Sequence, residues 1–313
     1  MCILLSVNIS LVAPCYNEAE NLAAFFSSVQ QAFAGVQEYD YEVIFVDDGS
    51  CDETGETLKQ LYVKAMGKIK VVQFLRNFGK EAAIYAGLKE CSGDYIAVID
   101  TDCQQDPKYV LEMADVLNNN PGIDMVAATP SNRKDSGLMS GIKHCFYKIA
   151  NAVSDVTFKN GASDFRVFRR EIRDVLLSLQ ERNRFSKGLF AWVCPDIQCI
   201  EYQVNERNAG STKWSFRKLL RYALNGILSF SHAPLSLSLI SAIFEIIASV
   251  GCWIWCVVSA CTASVSVLSV ILGIVFLLAS ISSFNIWVMG QYIARIHTEV
   301  QNRPLYVVKE KFI

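Results

Sequence analysis

The sequence predicts an α/β domain with a mainly parallel sheet, followed by an amphipathic interface helix and two transmembrane helices. Three patterns predict it. Short apolar runs alternate with amphipathic stretches through the first half of the chain. Residues 215–228 set apolar side chains against Arg217, Lys218 and Arg221 at helical spacing. Between His232 and Arg295 the one charged side chain is Glu245. The 313 residues divide accordingly into a globular domain over 1–214, the interface helix over 215–232, a transmembrane hairpin over 233–292 and a C-terminal tail over 293–313.

Taken in order, Ile9–Ala13 reads as a strand and 17–31 as a helix whose first turn carries acids. Tyr41–Val46 is a second strand, closed by Asp47-Asp48-Gly49-Ser50, with a helix over 53–65 behind it. Lys70–Phe74 is a third strand and 80–90 a helix. Tyr95–Ile99 is a fourth, after which Pro107 opens a helix at the position proline favours. Asp124–Ala128 closes the series. Strands apolar on both faces and spaced by helices imply a mainly parallel sheet covered on both sides. Ligands bind such sheets at the carboxyl ends of the strands, where Asp47/Asp48 and Asp100/Asp102 both lie. No GxGxxG follows the first strand, which disfavours a dinucleotide site.

The uncharged run is long enough for two helices of the ~20 apolar residues that cross a bilayer. They are read as Pro234 to Ala260 and Ser264 to Met289. A buried hairpin in a soluble core is the alternative, and so long an uncharged stretch disfavours it. Lys213, Arg217, Lys218 and Arg221 precede the first span, and Arg295, Arg303, Lys309 and Lys311 follow the second. The connection near Cys261 carries no cation, so both ends are expected to be cytoplasmic. The opening Met-Cys-Ile-Leu-Leu lacks the basic region of a signal peptide. A basic amphipathic helix beside a span reads as interfacial. Residues 138–153 show a similar pattern and read equally well as a surface helix on the sheet.

The formal net charge of −2 gives no reason to expect nucleic acid. The 11 cysteines are odd in number and scattered, without a CxxC pair, and are expected to be reduced.

In a strand, residues two apart face the same side. If the extended geometry persists, Asp100 and Asp102 present two carboxylates to one point, a donor set that suits Mg²⁺ or Mn²⁺. The alternative is a turn that uses aspartate for local backbone hydrogen bonds. The ends of the first two strands, Pro14–Glu18 and Asp47–Ser50, add acids, amides and turn residues, which together resemble a nucleotide pocket.

These segments carry a resemblance. PCYNE at 14–18, VDDGS at 46–50, RNFGKEAA at 76–83, DTDCQQDP at 100–107, GASDFR at 161–166, ERNRFSKGLFAWV at 181–193, ERNAGSTKW at 206–214 and NRPLYVV at 302–308 cover almost the whole chain. The chain is similar to family 2 glycosyltransferases with the GT-A nucleotide-sugar-binding fold. Among them it resembles the polyprenyl-phosphate glycosyltransferases: bactoprenol glucosyltransferases of O-antigen modification and, more distantly, dolichyl-phosphate mannose synthase.

The resemblance implies roles position by position. Asp47 contacts the uridine, with Pro14, Tyr16 and Glu18 lining that side. Asp100 and Asp102 hold the metal and the diphosphate, with Gln104 close by. Asp164 sits by the sugar and acceptor, and Arg207, Ser211 and Lys213 meet phosphate. Cys103-Gln104-Gln105 departs from the Leu-Gln-Asp common in relatives, and Glu245 inside the first span is read as a polar contact between helices or protomers. The implied activity is inverting, metal-dependent transfer of a hexose, glucose from UDP-glucose, to undecaprenyl phosphate at the cytoplasmic membrane face by a homo-oligomer, a tetramer. Alternatives are a GDP-mannose or UDP-aminoarabinose type of donor, or a catalytically silent membrane protein that binds a lipid-linked sugar. A processive synthase does not fit, since there is no QxxRW and too few spans to form a pore. A phosphomonoester acceptor, with second pKa ≈ 6, is already largely a dianion near neutrality. Asp164 is therefore expected to orient rather than to act as a strong base.

Overall fold

The computed structural model describes residues 6–65, 67–131, 164–205, 233–262 and 267–313. Strands β1 (Val7–Cys15), β2 (Tyr39–Asp47), β3 (Ile69–Phe74) and β4 (Tyr95–Val98) alternate with helices α1 (Ala19–Phe33), α2 (Thr54–Lys64), α3 (Lys80–Glu90) and α4 (Lys108–Asn119). After β5 (Met125–Pro130) come β6 (Arg166–Arg169), α5 (Arg170–Ser178), α6 (Ser186–Val193) and β7 (Gln198–Tyr202). Two long helices follow, α7 (Ala233–Thr262) and α8 (Val267–Val300), and then β8 (Val308–Phe312). The interface helix over 215–232 and the amphipathic stretch 138–153 lie outside the described residues.

The strands form one sheet in the order β7-β5-β6-β4-β1-β2-β3-β8. Pairing is parallel from β4 through β1 and β2 to β3, and again between β5 and β7. It is antiparallel where β6 enters between β4 and β5 and where β8 joins β3. The chain runs outward from β1 to β3 and then crosses back to lay β4 on the other side of β1. That reversal makes a topological switch point at the carboxyl ends of β1 and β4, where open α/β sheets hold their ligands.

The central strands read as continuous apolar runs because helices cover both faces. On one face Leu22 and Phe25 of α1 and Met113 of α4 pack against Leu11 and Phe45, and Phe25 meets Phe45 edge to face at 5.8 Å. On the other, Ala83 of α3 and Leu189 and Phe190 of α6 cover Val12, Ile44 and Val98. Each such side chain, fully buried, stabilises the fold by ~1.5–3 kcal/mol before the entropy of ordering it is set against it.

One buried charge ties the amino ends of the strands together. Glu42, 8% exposed, accepts hydrogen bonds at Oε1 from Ser10 Oγ (2.5 Å), Ser92 N–H (2.7 Å) and Ser92 Oγ (2.8 Å). Its Oε2 pairs with Lys70 at 2.7 Å. Burial alone would raise its carboxyl, but Lys70 and the two serines outweigh it and hold the group below its usual range. Removing one partner of a buried pair strands the other charge, so Lys70→Met is expected to cost about 3 kcal/mol at pH 7. A carboxyl lowered on folding contributes stability above its unfolded value and loses it as pH falls through the lowered folded one. The gap between wild type and Lys70→Met in thermal midpoint, followed in detergent from pH 7 downward, therefore closes in acid. A gap independent of pH would show that Glu42 is not the charge involved.

Three expectations need correction. Asp124–Ala128 does not close the series: β6, β7 and β8 extend the sheet, and β6 separates β5 from β4. The hairpin does not end at residue 292, because α8 continues to Val300 before Asn302 takes a left-handed φ of 48° and Pro304 prevents further helix. Nor does the strand carrying the acidic motif stay extended, since β4 stops at Val98.

Among the described residues one segment, Ile274–Val300, is long and apolar enough to cross a membrane, with mean hydropathy 1.6 over its best window. Helices α7 and α8 meet through polar contacts as well as apolar ones. Asn285 Nδ2 donates to Ser241 Oγ (2.7 Å), and Ser282 Oγ donates to Glu245 Oε2 (3.3 Å). Glu245 thus has the helix-to-helix contact expected of it. The end of α8 is fastened to the α/β domain: Glu299 accepts the N–H groups of Arg182 (2.9 Å) and Asn183 (3.2 Å). Beyond it Tyr306 stacks on Phe74 at 4.7 Å, and β8 continues the sheet.

Candidate active site

Strands β1 and β2 end level, Cys15 against Asp47, and the loops that leave them are laced together. Asn17 N–H donates to Ser50 Oγ (2.9 Å), Cys51 N–H to Asn17 Oδ1 (2.9 Å) and Glu18 N–H to Thr54 Oγ1 (3.0 Å). Asn17 takes a left-handed φ of 54°, which asparagine tolerates better than most residues. Asp47 is buried and accepts Ser50 N–H (2.9 Å), yet burial pushes its carboxyl above the usual range. Pro14, Tyr16, Glu18 and Asp47 are thereby gathered at one end of the sheet, with Tyr16 exposed at the rim.

The neighbouring strand ends supply a second group. Strand β6 runs antiparallel to β4 with Val98 opposite Arg166, and the same register continued by two residues sets Asp164 across from Asp100. Two facing carboxylates require a cation, and α3 supplies it. Lys80 Nζ lies 2.7 Å from Asp100 Oδ1 and 3.3 Å from Asp164 Oδ2. Burial works against the lysine's charge, but the two aspartates hold its pKa well above the ordinary value. Burial alone would raise Asp164, but Lys80, Lys187 and Arg166 together bring it down to about 2.

The loop before α3 is aimed by the second aspartate of VDDGS. Asp48 Oδ1 accepts Phe78 N–H (2.7 Å) and Asp48 Oδ2 accepts Gly79 N–H (2.9 Å). Gly79, at φ 100° and ψ 156°, occupies a region essentially confined to glycine.

Of the two arrangements open to Asp102, the structure takes the turn. Residues 100–103 form a turn, with Cys103 at φ 59°. Asp100 N–H donates to Gln105 Oε1 (3.0 Å) and Gln104 N–H to Asp102 Oδ1 (3.2 Å). One Asp102 oxygen thus serves the local turn. Gln104 O accepts Asn205 N–H (3.1 Å), so the described chain leaves β7 beside the acidic turn. Arg207, Ser211 and Lys213 lie outside the described residues.

The residues present fit a hard divalent cation. Among the described residues no three His, Cys, Asp or Glu side chains form a ready-made site. Mg²⁺ commonly takes one or two carboxylates and completes its shell with water and substrate phosphates. Asp100 and Asp102 supply carboxylates of that type in the turn after β4, Asp102 with one oxygen engaged by Gln104 N–H. Nearby, Asp164 Oδ1 is buried without a hydrogen-bond partner among the described residues, leaving a lone pair available for a ligand.

A family model described as glycosyl transferase family 2 matches residues 10–177, more than half of the chain. The chain belongs to glycosyl transferase family 2. The SfII prophage-derived bactoprenol glucosyl transferase of Shigella flexneri is 36% identical over 308 residues, 97% of this chain and 98% of that protein. The bactoprenol glucosyl transferase of Shigella phage SfV is 35% identical over 309 residues, 97% and 99% of the two chains. The prophage bactoprenol glucosyl transferase homolog of Escherichia coli strain K12 is 36% identical over 307 residues, again 97% and 99%. The mostly parallel α/β sheet is the GT-A arrangement that the family resemblance implied.

In this glycosyltransferase one site residue, Lys80, escaped the sequence reading, and Asp48 was placed at the ligand end of its strand without a role of its own. A signal for Lys80 was present: a lysine in the first turn of a helix opposes the helix dipole, which asks for a reason outside the helix. The role of Asp48, holding Phe78 N–H and Gly79 N–H, depends on a contact with a loop thirty residues on.

Proposed function

We propose that this glycosyltransferase moves a hexose, glucose from UDP-glucose, onto undecaprenyl phosphate at the cytoplasmic face of a membrane, with inversion and with Mg²⁺ or Mn²⁺ bound. What carries the reading is the meeting of Asp100 and Asp164 on Lys80 beside the switch point. It occurs in a chain that aligns along nearly its full length with relatives named bactoprenol glucosyl transferases. The hairpin of α7 and α8 spans the bilayer with both ends cytoplasmic, and a homo-oligomer, a tetramer, adds to a modest anchor. The ties of Glu299 and β8 to the domain hold the pocket near the lipid headgroups, from which a polyprenyl chain cannot depart.

In the proposed step an acceptor-phosphate oxygen forms a bond to the anomeric carbon from the face opposite the nucleotide. The bond from that carbon to the β-phosphate oxygen breaks, and its electrons leave with UDP. Asp100 and Asp102 would hold the divalent ion, which would supply positive charge where the departing diphosphate develops its negative charge. Asp47, with Pro14, Tyr16 and Glu18, holds the nucleoside, and Gln104 borders the diphosphate. Arg207, Ser211 and Lys213 take phosphate, from the nucleotide or the lipid. A carboxylate held at about 2 is a weak base, and the acceptor dianion needs no deprotonation. Asp164 therefore orients the sugar or the acceptor.

The test offers labelled UDP-glucose, GDP-mannose and a UDP-aminoarabinose type of donor to membranes carrying the protein, with undecaprenyl phosphate and either metal. The glucose label is expected in the organic phase, dependent on both lipid and metal. Another label there would replace the donor. No label, from folded protein that still binds the lipid-linked sugar, would make the chain a silent binder.

A further inference from the structure

Lys80 has no part in the scheme above, yet the structure invests in its position. It opens α3 where the helix dipole disfavours a cation. The glycine before it sits in a backbone region that other residues avoid, and the buried Asp48 holds the two N–H groups that lead into it. An ion pair with Asp100 kept for stability gives little return for such construction, because a pair 41% and 32% exposed contributes ~0–1 kcal/mol. The Lys80 side chain is 41% exposed while its ammonium is drawn in between the two aspartates, so it lies at the mouth of the site on a long stem. Its partners are the telling feature. One is the proposed metal ligand Asp100, the other is Asp164, and the ammonium stands between them.

We propose that Lys80 is the resident cation of the donor-free site: it neutralises Asp100 and Asp164, gives up Asp100 when donor and divalent ion arrive, and then binds phosphate oxygens of the substrates. This rests on the metal-dependent transferase reading. The exchange follows from space and charge. An ammonium 2.7 Å from Asp100 Oδ1 occupies the approach that a divalent ion needs, and two cations repel at that range. Released from Asp100, the ammonium keeps Asp164 as one anchor, and the nearest new anions are the phosphates of donor and acceptor. In that position it shields an acceptor dianion from the Asp164 carboxylate, beside which the acceptor must sit. Metal binding without donor is thereby discouraged, and the site assembles when both are present.

The test uses the full chain in detergent and reads Mn²⁺ binding by electron paramagnetic resonance, with thermal midpoints recorded for every variant. Without nucleotide, Lys80→Met is expected to bind Mn²⁺ about tenfold more tightly than wild type, since the competing cation is gone. With UDP present the advantage disappears, and turnover falls about 10²-fold with a smaller change in KM. Lys80→Arg keeps the charge and is expected to restore weak Mn²⁺ binding with part of the turnover. Lys80→Gln repeats the comparison if the methionine variant is unstable. Mn²⁺ affinity unchanged or weakened in the neutral variants would overturn the proposal. Failure of the underlying reading looks different: Asp100→Asn and Asp102→Asn would then bind Mn²⁺ as wild type does.

Discussion

Asp100→Asn is expected to slow transfer by about 10³-fold or more, ~4 kcal/mol of barrier, while the protein stays folded. Asp100 is where the separate strands of the chemistry meet. Its carboxylate is a proposed ligand of the divalent ion, it holds Lys80 at 2.7 Å, and it stands across the sheet register from Asp164. The amide keeps the shape and leaves the backbone N–H on Gln105 undisturbed, so what it removes is charge. The fold depends little on that charge, because the side chain is 32% exposed and ion pairs at such sites contribute ~0–1 kcal/mol. Asp102→Asn is expected to be milder, since an amide oxygen still accepts Gln104 N–H. Initial rates of label transfer in membranes, beside thermal midpoints in detergent, make the comparison. An Asp100→Asn enzyme within tenfold of wild type would remove this residue from the reaction.

The parts of the fold that were legible are those governed by local pattern. Strands β1 to β4 are apolar because both faces are covered, and α3 spans Lys80–Glu90, where the sequence places a helix. Strand β6 was not seen because arginines stand at both its ends. Arg166, 2% exposed, lies 4.0 Å over the ring of Phe190, and Arg169 donates to the carbonyls of Leu117 and Ile123. Those partners come from distant helices and loops, so a buried strand carried charges that read locally as surface. Strand β8, Val-Lys-Glu-Lys-Phe, is an edge strand whose pairing is set by its partners: Lys311 meets Glu90 at 2.7 Å and Glu310 meets Lys59 at 3.1 Å. The same division holds in the site. That acids cluster at strand ends was readable from motif and spacing. That Asp164 faces Asp100 depends on β6 pairing antiparallel with β4, a fact of register between segments far apart in sequence. For Asp102 the spacing left an extended chain and a local turn both open, and the left-handed Cys103 with the Gln104 N–H on Asp102 Oδ1 decides for the turn.

Gly49→Ala is expected to cost about 4 kcal/mol or more and to depress turnover ~10²-fold even in the molecules that fold. Gly49 adopts φ +67°, and a Cβ there would stand 2.3 Å from the carbonyl carbon of Arg76 and 2.6 Å from its Cα. Backbone cannot swing aside as a side chain does, so the segment from Arg76 must shift. That segment supplies Phe78 N–H and Gly79 N–H to Asp48 and delivers Lys80 to the two aspartates. Strain at the turn is thus transmitted to the chemistry. Gly35 provides the control: it has φ +80° but nothing within 4 Å of its would-be Cβ. Gly35→Ala pays the left-handed conformation alone, ~1–2 kcal/mol, and keeps wild-type turnover. If the two alanines lower the thermal midpoint equally and both keep wild-type turnover, the contact with Arg76 does not transmit to the site. A Gly49→Ala enzyme that is less stable and slow, beside a Gly35→Ala enzyme that is merely less stable, locates the defect in the loop that aims Lys80.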